Sequence, residues 1–508
     1  MTNKIRYLIV QAGGKGTRME HLTWNKPKCL ISIHGKPMLY WLEDAFPGSE
    51  MYIISDYKKE VLEKYMKVNP PKFQYTIIEA EGTGTSSGLQ KAREMIPAGE
   101  SFGIVWSDLI FDGLVNVPEE KGNYVGITNK FKCRWSYKDG ELIEEASDKT
   151  GVVGFFYFSK PYEIPKIPLN GEFVRFLSEV DGIKPIMIEN VQEIGNIEAY
   201  YKLKANEINS RFFNSIKFED NKVIKKSKRP EFDKLIEDEV KWYEYISEKN
   251  FNYIPKIYKL TPYIEMERLI GKHPYELKKY DRNHRMKILN NIFEVLDELH
   301  NIDSINYERE ICHQVYVDKT IERIEKISYL IPNWQEEFFV VNNKKVRNLL
   351  NDKYKGEIEN IFNSIEYSPS FTVIHGDPTF SNMIICEEKE KPFLFDPRGY
   401  FGKMKIFGDP LYDFSKLYYS VVGNYDQFNQ KNFKIKINNK NIDLKISPNG
   451  WEDLEEVFKK KFGNKMRSLK IIHSLIWLSL AGYVLDDYDS ILGAYFHGLE
   501  LFEEAALI

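Results

Sequence analysis

The stretch LIVQAGGKGTRMEHLTWNKPKCL, residues 8–30, carries the most informative pattern in the first part of the chain. A strand-like apolar run ends in a glycine-rich turn that is surrounded by basic residues. Glycine has no side chain and adopts backbone conformations that other residues avoid, so such a turn brings N–H groups close to a phosphate. The stretch therefore predicts a phosphate-binding turn at the end of a β-strand.

Two well-known phosphate-binding turns do not fit this stretch. A P-loop requires G-x-x-x-x-G-K-[ST], and here Lys15 precedes Gly16 instead of following the last glycine. The dinucleotide-binding turn requires G-x-G-x-x-G, and Met19 stands where the third glycine belongs. What remains is G-G-x-G-T-R, followed by P-K-x-L at residues 27–30 and G-K-P at residues 35–37.

Length and composition limit the class of protein. A chain of 508 residues is expected to form two to four domains. The net charge of −4 gives no basic excess for a nucleic-acid partner. The four cysteines are far apart and predict reduced thiols in a cytoplasmic protein. The apolar stretch 471–485 is too short to cross a membrane, so we expect a buried helix there and no membrane partner.

Strand and helix patterns predict two kinds of domain. In the first part, apolar runs alternate with amphipathic stretches, which predicts an α/β fold with a mixed or parallel sheet. After a predicted helix at 197–209, residues 215–227 read as a hairpin, and helical patterns dominate from about residue 230. A late segment, 433–447, predicts a surface hairpin.

We place the domain boundary near residue 205, giving domains 1–205 and 206–508. The predicted strands are 51–56, 73–81, 101–108 and 151–160, and the predicted helices between them are 58–66 and 87–96.

The ordered motifs of the first domain resemble the sugar-phosphate nucleotidyltransferase superfamily, whose members are pyrophosphorylase-like enzymes. The resemblance implies a Rossmann-like nucleotidyltransferase domain. In it Arg18 and Lys28 are catalytic, since they place positive charge where the α-phosphate gains negative charge. The loop 81–88 is similar to the region that contacts the base and the sugar phosphate. The nucleotide-binding residues implied are Ala12, Gly13, Gly14, Gly16, Thr17, Gly82 and Thr83.

Two acidic residues match the positions at which this superfamily holds Mg²⁺. Asp108 follows the apolar run IVWS, and Glu193 lies in VQEIGNIEAYYK, which resembles a later segment of the family. The family usually has aspartate at the position of Glu193. Glutamate also binds magnesium, but its longer side chain changes the geometry of the site.

The second domain contains FTVIHGDPTFSNMII, residues 371–385, with the H-x-D-x-x-x-x-N spacing of a kinase catalytic loop. Asp396 then ends the apolar run FLFD, and GDPLYDFSKL follows at 408–417. The set resembles the aminoglycoside phosphotransferase and choline kinase family. It implies a two-lobed, protein-kinase-like α+β fold, with Asp377 accepting the alcohol proton and Asn382 and Asp396 holding Mg²⁺.

Upstream residues match the same family in order. Lys225 is preferred over Lys226 as the strand lysine because it shares a face with Val223, and Glu239 is its expected helix partner. Residues 264–271 resemble the segment between the lobes, which makes Met266 a nucleotide contact. Residues 210–218 replace a glycine-rich cover loop, so Arg211 and Asn214 are predicted nucleotide contacts. Three residues are interpreted as structural supports of the catalytic loop: His375, Asp409 and Asp413.

Together the two resemblances imply a bifunctional enzyme that uses ATP, a second NTP (CTP or UTP) and Mg²⁺ at both sites. An alcohol is phosphorylated, and its phosphate is then coupled to a nucleotide for surface glycan synthesis, such as a capsule polysaccharide. Arg398 is expected to contact the alcohol and to favour a sugar, polyol or sugar acid over a cation. The oligomeric state stays open.

Three alternatives remain. One is a choline or ethanolamine kinase fused to a CTP:phosphocholine-type cytidylyltransferase. Another is a nucleotide-binding regulatory protein with one inactive domain. The third is a single nucleotidyltransferase whose second domain acts on a protein or an antibiotic.

Overall fold

The computed structural model describes residues 4–205, 214–228, 230, 233–386 and 391–507. The chain forms two compact units. The first comprises residues 1–207 and the short segment 486–489, and the second comprises residues 208–485 and 490–508. The predicted helix at 197–209 is described as far as Ala205.

The first unit is an α/β structure, which confirms the predicted class. Its strands and helices in chain order are β1 Tyr7–Gln11, β2 Ser32–Ile33, β3 Lys36–Pro37, α1 Met38–Ala45, β4 Glu50–Ser55, α2 Lys59–Val68, β5 Tyr75–Glu79, α3 Leu89–Glu94, β6 Phe102–Trp106, β7 Leu109–Phe111, β8 Asn123–Thr128, β9 Ser136–Lys138, β10 Glu141–Ile143, β11 Gly151–Phe158, α4 Phe173–Leu177, β12 Ile183–Met187, β13 Val191–Glu193 and α5 Ile197–Ala205.

The main sheet of the first unit is mixed. Its order is β10-β9-β11-β6-β1-β4-β5, with β8 added to β11 and β12 added to β8. Strand β1 lies between β4 and β6 and is parallel to both, whereas β11 runs antiparallel to β6. Alternate residues of the central strands, including Ile9, Ile54, Ile104 and Phe156, share one buried face. The glycine-rich turn therefore follows a strand that is fixed on both sides.

A second cluster of buried hydrophobic side chains packs the segment that follows the glycine-rich turn against the rest of the first unit. Met19, Ile31 and Met38 pack together with Ile110 and Ile194. Ile110 belongs to β7, and Ile194 follows β13, which pairs antiparallel with β7. This packing brings the basic segment and the two predicted metal ligands into one region of the unit.

The second unit combines small sheets with many helices. Its elements in chain order are β14 Asn214–Phe218, β15 Lys222–Ser227, α6 Asp233–Ser247, β16 Ile257–Lys259, β17 Ile264–Glu267, α7 Arg282–His300, β18 Ser304–Asn306, α8 Arg309–His313, α9 Lys319–Lys326, β19 Phe338–Val341, β20 Lys344–Arg347, α10 Glu357–Phe362, β21 Ser370–Val373, β22 Met383–Ile385, β23 Pro392–Leu394, β24 Phe407–Gly408, α11 Pro410–Val421, α12 Tyr425–Asn429, β25 Phe433–Asn438, β26 Asn441–Ile446, α13 Glu455–Phe462, α14 Met466–Ala481 and α15 Tyr488–Leu507.

Both predicted hairpins are present in the second unit. Strands β14 and β15 pair antiparallel and belong to the sheet β14-β15-β17-β16. Strands β25 and β26 also pair antiparallel, but β26 pairs in addition with β19 to form the sheet β20-β19-β26-β25. The predicted hairpin at 433–447 is therefore present, but it is part of a four-stranded sheet, which the sequence did not indicate. Its alternate residues Ile435 and Leu444 are buried.

The long apolar stretch near the end of the chain forms a buried helix, as predicted. Helix α14 begins at Met466 and ends at Ala481, and Ile471, Leu475 and Leu478 are almost completely buried. Within the ranges that the structure describes, no helix combines the length and apolar character needed to cross a membrane.

Candidate active sites

The glycine-rich turn of the first unit is shaped by close contact with Lys28. Gly16 has a φ of 61°, and a Cβ built on it would lie 3.0 Å from Lys28 Cβ. The Thr23 hydroxyl donates to the Gly16 carbonyl over 3.2 Å and holds this conformation. A Cβ on Gly14 would meet nothing within 4 Å, so this side of the turn is open to a ligand. Of the other predicted contacts, Ala12 is buried and Thr17 is exposed.

Lys28 and Asp108 form an ion pair in the first unit. Lys28 Nζ lies 2.6 Å from Asp108 Oδ2, and both side chains are largely buried. Asp108 Oδ1 is also buried and accepts no hydrogen bond from the described part of the chain. A buried carboxylate oxygen without a donor is costly in free energy, and a bound cation would satisfy it. Asp108 therefore fits the metal that the superfamily uses.

Glu193 lies beside Asp108 because β13 pairs with β7. Glu193 is opposite Leu109 in this pairing, and the N–H of Ile194 donates to the Asp108 carbonyl over 2.9 Å. Burial raises the pKa of Glu193, and the charge of Asp108 raises it further, while Lys28 and Arg18 oppose the change. Two neighbouring carboxylates suit Mg²⁺, which is commonly held by one or two carboxylates and by the phosphates of its substrate. Among the described residues, no set of three or more His, Cys, Asp or Glu side chains forms a more complete metal site.

A cavity of about 480 Å³ opens beside Glu193. Four cationic side chains line it: Arg18, Lys130, Lys132 and Lys202. Arg18 is one of the residues predicted from the sequence. The three lysines were not predicted, because Lys130 and Lys132 belong to no motif and the segment 191–202 was used only for Glu193. The cavity offers positive charge to an anionic ligand.

The loop 81–88 is tied to the segment that precedes α4. The N–H and the hydroxyl of Thr83 donate to Asn170 Oδ1 over 2.9 and 3.0 Å. Gly82 has a φ of 94°, and a Cβ there would lie 2.0 Å from the Leu169 carbonyl oxygen. Gln11, at the end of β1, donates to the Thr85 carbonyl over 2.9 Å. The loop is thereby fixed next to the strand that leads into the glycine-rich turn.

In the second unit, the side chain of Asp377 is contacted by Asn382 and Lys416. Asn382 Nδ2 donates to Asp377 Oδ2 over 3.0 Å and to its backbone carbonyl over 2.9 Å. Lys416 Nζ, on α11, lies 3.0 Å from Asp377 Oδ1. Sequence analysis did not select Lys416, although it lies inside the motif 408–417. The two partners orient the carboxylate that is expected to accept a proton.

Lys225 joins two acidic residues that are far apart in the sequence. Its Nζ lies 2.5 Å from Glu239 Oε2 and also contacts Asp396 Oδ1. Burial disfavours the charged lysine, but Asp396 and Glu239 together raise its pKa. Asp396 adopts a φ of 59°, and its N–H donates to the Tyr243 hydroxyl over 3.3 Å. Asp396 and Asn382 supply oxygen donors of the kind that Mg²⁺ prefers.

Asp413 supports the catalytic loop from α11. Its carboxylate accepts the N–H groups of His375 and Gly376 over 2.8 and 2.7 Å, and His300 Nε2 lies 3.1 Å from it. His375 Nε2 lies 3.1 Å from the Phe395 carbonyl, and burial lowers the pKa of this histidine. Asp409 caps α11 by accepting the Leu411 N–H over 3.0 Å. These contacts have the geometry expected of supporting residues.

Four further residues of the second unit were predicted to contact the nucleotide or the alcohol. Met266 is buried on β17 opposite Val223. The Arg398 guanidinium donates to the hydroxyls of Tyr412 and Tyr400 over 3.0 and 2.8 Å. Asn214 begins β14, and nothing is described of its side chain. Arg211 lies outside the described residues.

Comparison with known proteins defines two transferase domains. Residues 8–115 match the family described as "MobA-like NTP transferase domain". Residues 203–431 match the family described as "Phosphotransferase enzyme family". The chain thus contains a MobA-like NTP transferase domain in its N-terminal part and a phosphotransferase-family domain in its C-terminal part, and the two resemblances are confirmed.

Curated relatives match part of the chain. "Bifunctional protein GlmU" of Methanococcus maripaludis is 30% identical over 200 residues, which is 39% of this chain and 46% of the relative. "Mannose-1-phosphate guanyltransferase" of Gibberella zeae is 30% identical over 195 residues, 36% of this chain and 53% of the relative. The chain spans about half the length of these relatives.

A solved structure also resembles this part of the chain. The inositol-1-phosphate CTP transferase from T. maritima is 14% identical to it, with a TM-score of 0.33. The match covers 41% of this chain and 100% of the other.

Proposed function

We propose that the protein carries out two consecutive transfers. The second unit transfers the γ-phosphoryl group of ATP to a small alcohol: R–OH + ATP gives R–O–PO₃²⁻, ADP and a proton. The first unit then couples this phosphate to a nucleotide: R–O–PO₃²⁻ + NTP gives NDP–R and pyrophosphate. The carrying observation is that each unit assembles its own charged site, Lys28 with Asp108 in one and Lys225 with Glu239 and Asp396 in the other.

In the first unit, the open glycine-rich turn receives the triphosphate. Lys28 and Arg18 stabilise the negative charge that develops on the α-phosphate as the acceptor phosphate attacks. The cationic cavity beside Glu193 supports binding of an acceptor phosphate. Mg²⁺, when bound to Asp108 and Glu193, neutralises phosphate charge.

In the second unit, Asp377 accepts the proton of the alcohol hydroxyl. Asn382 donates to the same carboxylate and thereby fixes its orientation. Glu239 holds Lys225 in the position from which it contacts the phosphates of ATP. Asn382 and Asp396 would hold Mg²⁺, which would neutralise negative charge on those phosphates.

The identity of R is proposed from the residues near Asp396. Arg398 disfavours a quaternary ammonium and favours a sugar, polyol or sugar acid. CTP or UTP is the proposed second nucleotide, and the product is an activated donor for a surface glycan, such as a capsule polysaccharide. Both reactions consume nucleotides, so we place the protein in the cytoplasm.

Mass spectrometry of the products tests the proposal directly. The full chain is incubated with ATP, CTP, UTP and Mg²⁺ together with sugars, polyols, sugar acids and amino alcohols. The expected result is a phosphate monoester that appears first and an NDP-linked product that follows it. Choline or ethanolamine as the only good acceptor would support the phosphocholine-type alternative, and no ATP consumption with any acceptor would contradict the kinase.

A further inference from the structure

Three cations of the second unit form a group, named here the cation cluster, which consists of Lys319, Arg323 and Arg398. Lys319 and Arg323 are four residues apart on α9, so they lie on the same face of that helix. Arg398 follows the predicted metal ligand Asp396. All three side chains are partly buried.

The members of the cation cluster contact neutral groups instead of acids. Lys319 Nζ lies 5.8 Å from the centre of the Tyr412 ring, and the Arg398 guanidinium donates to the hydroxyl of the same tyrosine. Arg323 donates to the carbonyl and hydroxyl oxygens of Ser479 over 3.2 and 3.0 Å. Within the described residues, no carboxylate lies at ion-pair distance from any of the three.

Such an arrangement is unfavourable unless an anion completes it. Cations that are partly removed from water and that repel each other lose free energy unless enough negative charge is near. Burial disfavours the charge of Arg398, but Tyr412, Tyr400 and the charge of Asp377 raise its pKa, so Arg398 is better balanced than Lys319 and Arg323. Burial lowers the pKa of Lys319 well below its ordinary value, and Arg398, Arg323 and Lys416 lower it further. Burial and the charge of Arg398 also lower the pKa of Arg323.

The cation cluster borders the predicted catalytic loop. The Arg398 N–H donates to the His375 carbonyl over 2.9 Å, and a Cβ on Gly376 would lie 2.8 Å from Arg398 Cβ. Tyr412 contacts both Lys319 and Arg398, and one helical turn later Lys416 contacts Asp377. Lys225 is the cation already assigned to the phosphates of ATP. An anion at the cluster is therefore expected to belong to the other substrate.

We propose that the alcohol phosphorylated by the second unit carries an anionic group, a carboxylate or a phosphate, which the cation cluster binds while the hydroxyl faces Asp377. This inference rests on the proposed kinase function and narrows its acceptor from sugars, polyols and sugar acids to anionic alcohols. It predicts that amino alcohols are the poorest acceptors, since their charge has the wrong sign.

Matched acceptors test the charge preference. ADP formation by the full chain is measured with glycerol, glycerate and glycerol 3-phosphate, with glucitol and gluconate, and with ethanolamine. At least one anionic alcohol is expected to exceed its neutral counterpart about tenfold or more in kcat/KM. Glycerate and glycerol 3-phosphate separate a carboxylate from a phosphate as the recognised group. Equal or better use of the neutral or cationic compounds would overturn the inference.

Lys319→Met tests whether the cluster causes the preference. The variant is expected to raise KM for the anionic acceptor about tenfold, because a charge-assisted contact is lost. The KM values for ATP and for neutral acceptors should not change. Lys326→Met is the matched control, since Lys326 is exposed at the end of the same helix. A rise in KM for ATP alone, or the same loss with every acceptor, would overturn the assignment.

Calorimetric binding of the same compounds to the unaltered chain, without ATP, separates the two proposals. Anion-selective binding without phosphorylation would support the anion site and contradict the kinase function. Phosphorylation without anion-selective binding would support the kinase function and overturn the anion site.

Discussion

The two units place a lysine against a predicted metal-binding aspartate in different ways. In the first unit, Lys28 pairs with Asp108, and 12% and 18% of these side chains are exposed. In the second, Lys225 contacts Asp396 and is also held by Glu239, and only 6% of Lys225 and 4% of Glu239 are exposed. A cation that takes Asp108 would leave Lys28 available to a phosphate, whereas Lys225 keeps Glu239 as a partner. The first site is thus expected to depend more on its ligands for its geometry.

Asp377→Asn is expected to have the largest effect. Loss of the proton acceptor should lower the rate of alcohol phosphorylation about 10³-fold. Asparagine keeps the size of the side chain and one oxygen, which can accept from either Asn382 or Lys416. The measurement is ADP formation with the acceptor that the product analysis identifies.

The control for this variant is nucleotide transfer to supplied R–O–PO₃²⁻, which should proceed at the normal rate. Loss of NDP–R formation from the supplied phosphate would contradict the assignment of one reaction to each unit.

Lys28→Ala should slow nucleotide transfer and leave alcohol phosphorylation at its normal rate. Removal of a cation that faces the α-phosphate is expected to slow nucleotide transfer about 10²- to 10³-fold. Asp108→Ala should act in the same direction, because it removes a predicted ligand of Mg²⁺. Pyrophosphate release from supplied R–O–PO₃²⁻ and NTP gives the rate, and alcohol phosphorylation by both variants should remain normal. A normal rate of pyrophosphate release in Lys28→Ala would exclude Lys28 from the chemistry.

The variants Lys225→Met and Lys28→Met show how much each lysine contributes to the stability of its unit. Lys225→Met removes the cation that Glu239 and Asp396 share and leaves these two largely buried carboxylates close together. This is expected to lower the free energy of unfolding by about 3 kcal/mol. Lys28→Met breaks a single pair and should cost about 1 kcal/mol. Thermal unfolding without nucleotide measures both. Equal losses would show that the contact with Glu239 adds no stability.

The sequence predicted the parts of the molecule that local motifs define. The glycine-rich turn and the H-x-D-x-x-x-x-N loop carry their chemistry within a few residues, so these motifs were enough to show the resemblance to both transferase families. The contact between Lys225 and Glu239 was expected because the family resemblance supplied a partner for a strand lysine. The α/β class followed from the alternation of strand and helix patterns and is confirmed.

Contacts that neither a motif nor a family resemblance supplies were not predicted. Lys319 and Arg323 are on α9, and nothing in the helix pattern indicates that they lie near Arg398. The pairing of β26 with β19 joins Asn441 to Val340 and leaves no local signal in either strand. In both cases tertiary packing, and not local propensity, determines the outcome.

An effect on stability that is confined to high pH is expected at Asp426, which is buried on α12 in the second unit. Its Oδ1 accepts the Ser381 N–H over 2.9 Å, while its Oδ2 has no hydrogen-bond partner within the described structure. Burial raises the pKa of this carboxyl from 3.8 to about 6, with a further contribution from the charge of Asp377. The folded chain therefore binds this proton more tightly than the unfolded chain does. The resulting stabilisation is complete below pH 3.8 and is lost as the pH rises through about 6.

Asp426→Asn removes this dependence because asparagine stays neutral and keeps an oxygen for the Ser381 N–H. At about pH 8 the variant should be more stable than the original chain by about 2 kcal/mol, whereas at about pH 4 the two should be equal. Thermal unfolding at both pH values measures the difference, and Asp443→Asn, at an exposed position of β26, is the control. An advantage of the same size at both pH values would mean that the charge of Asp426 is not its cause. An advantage confined to high pH would show that the second unit holds its catalytic loop next to a carboxylate whose charge costs stability.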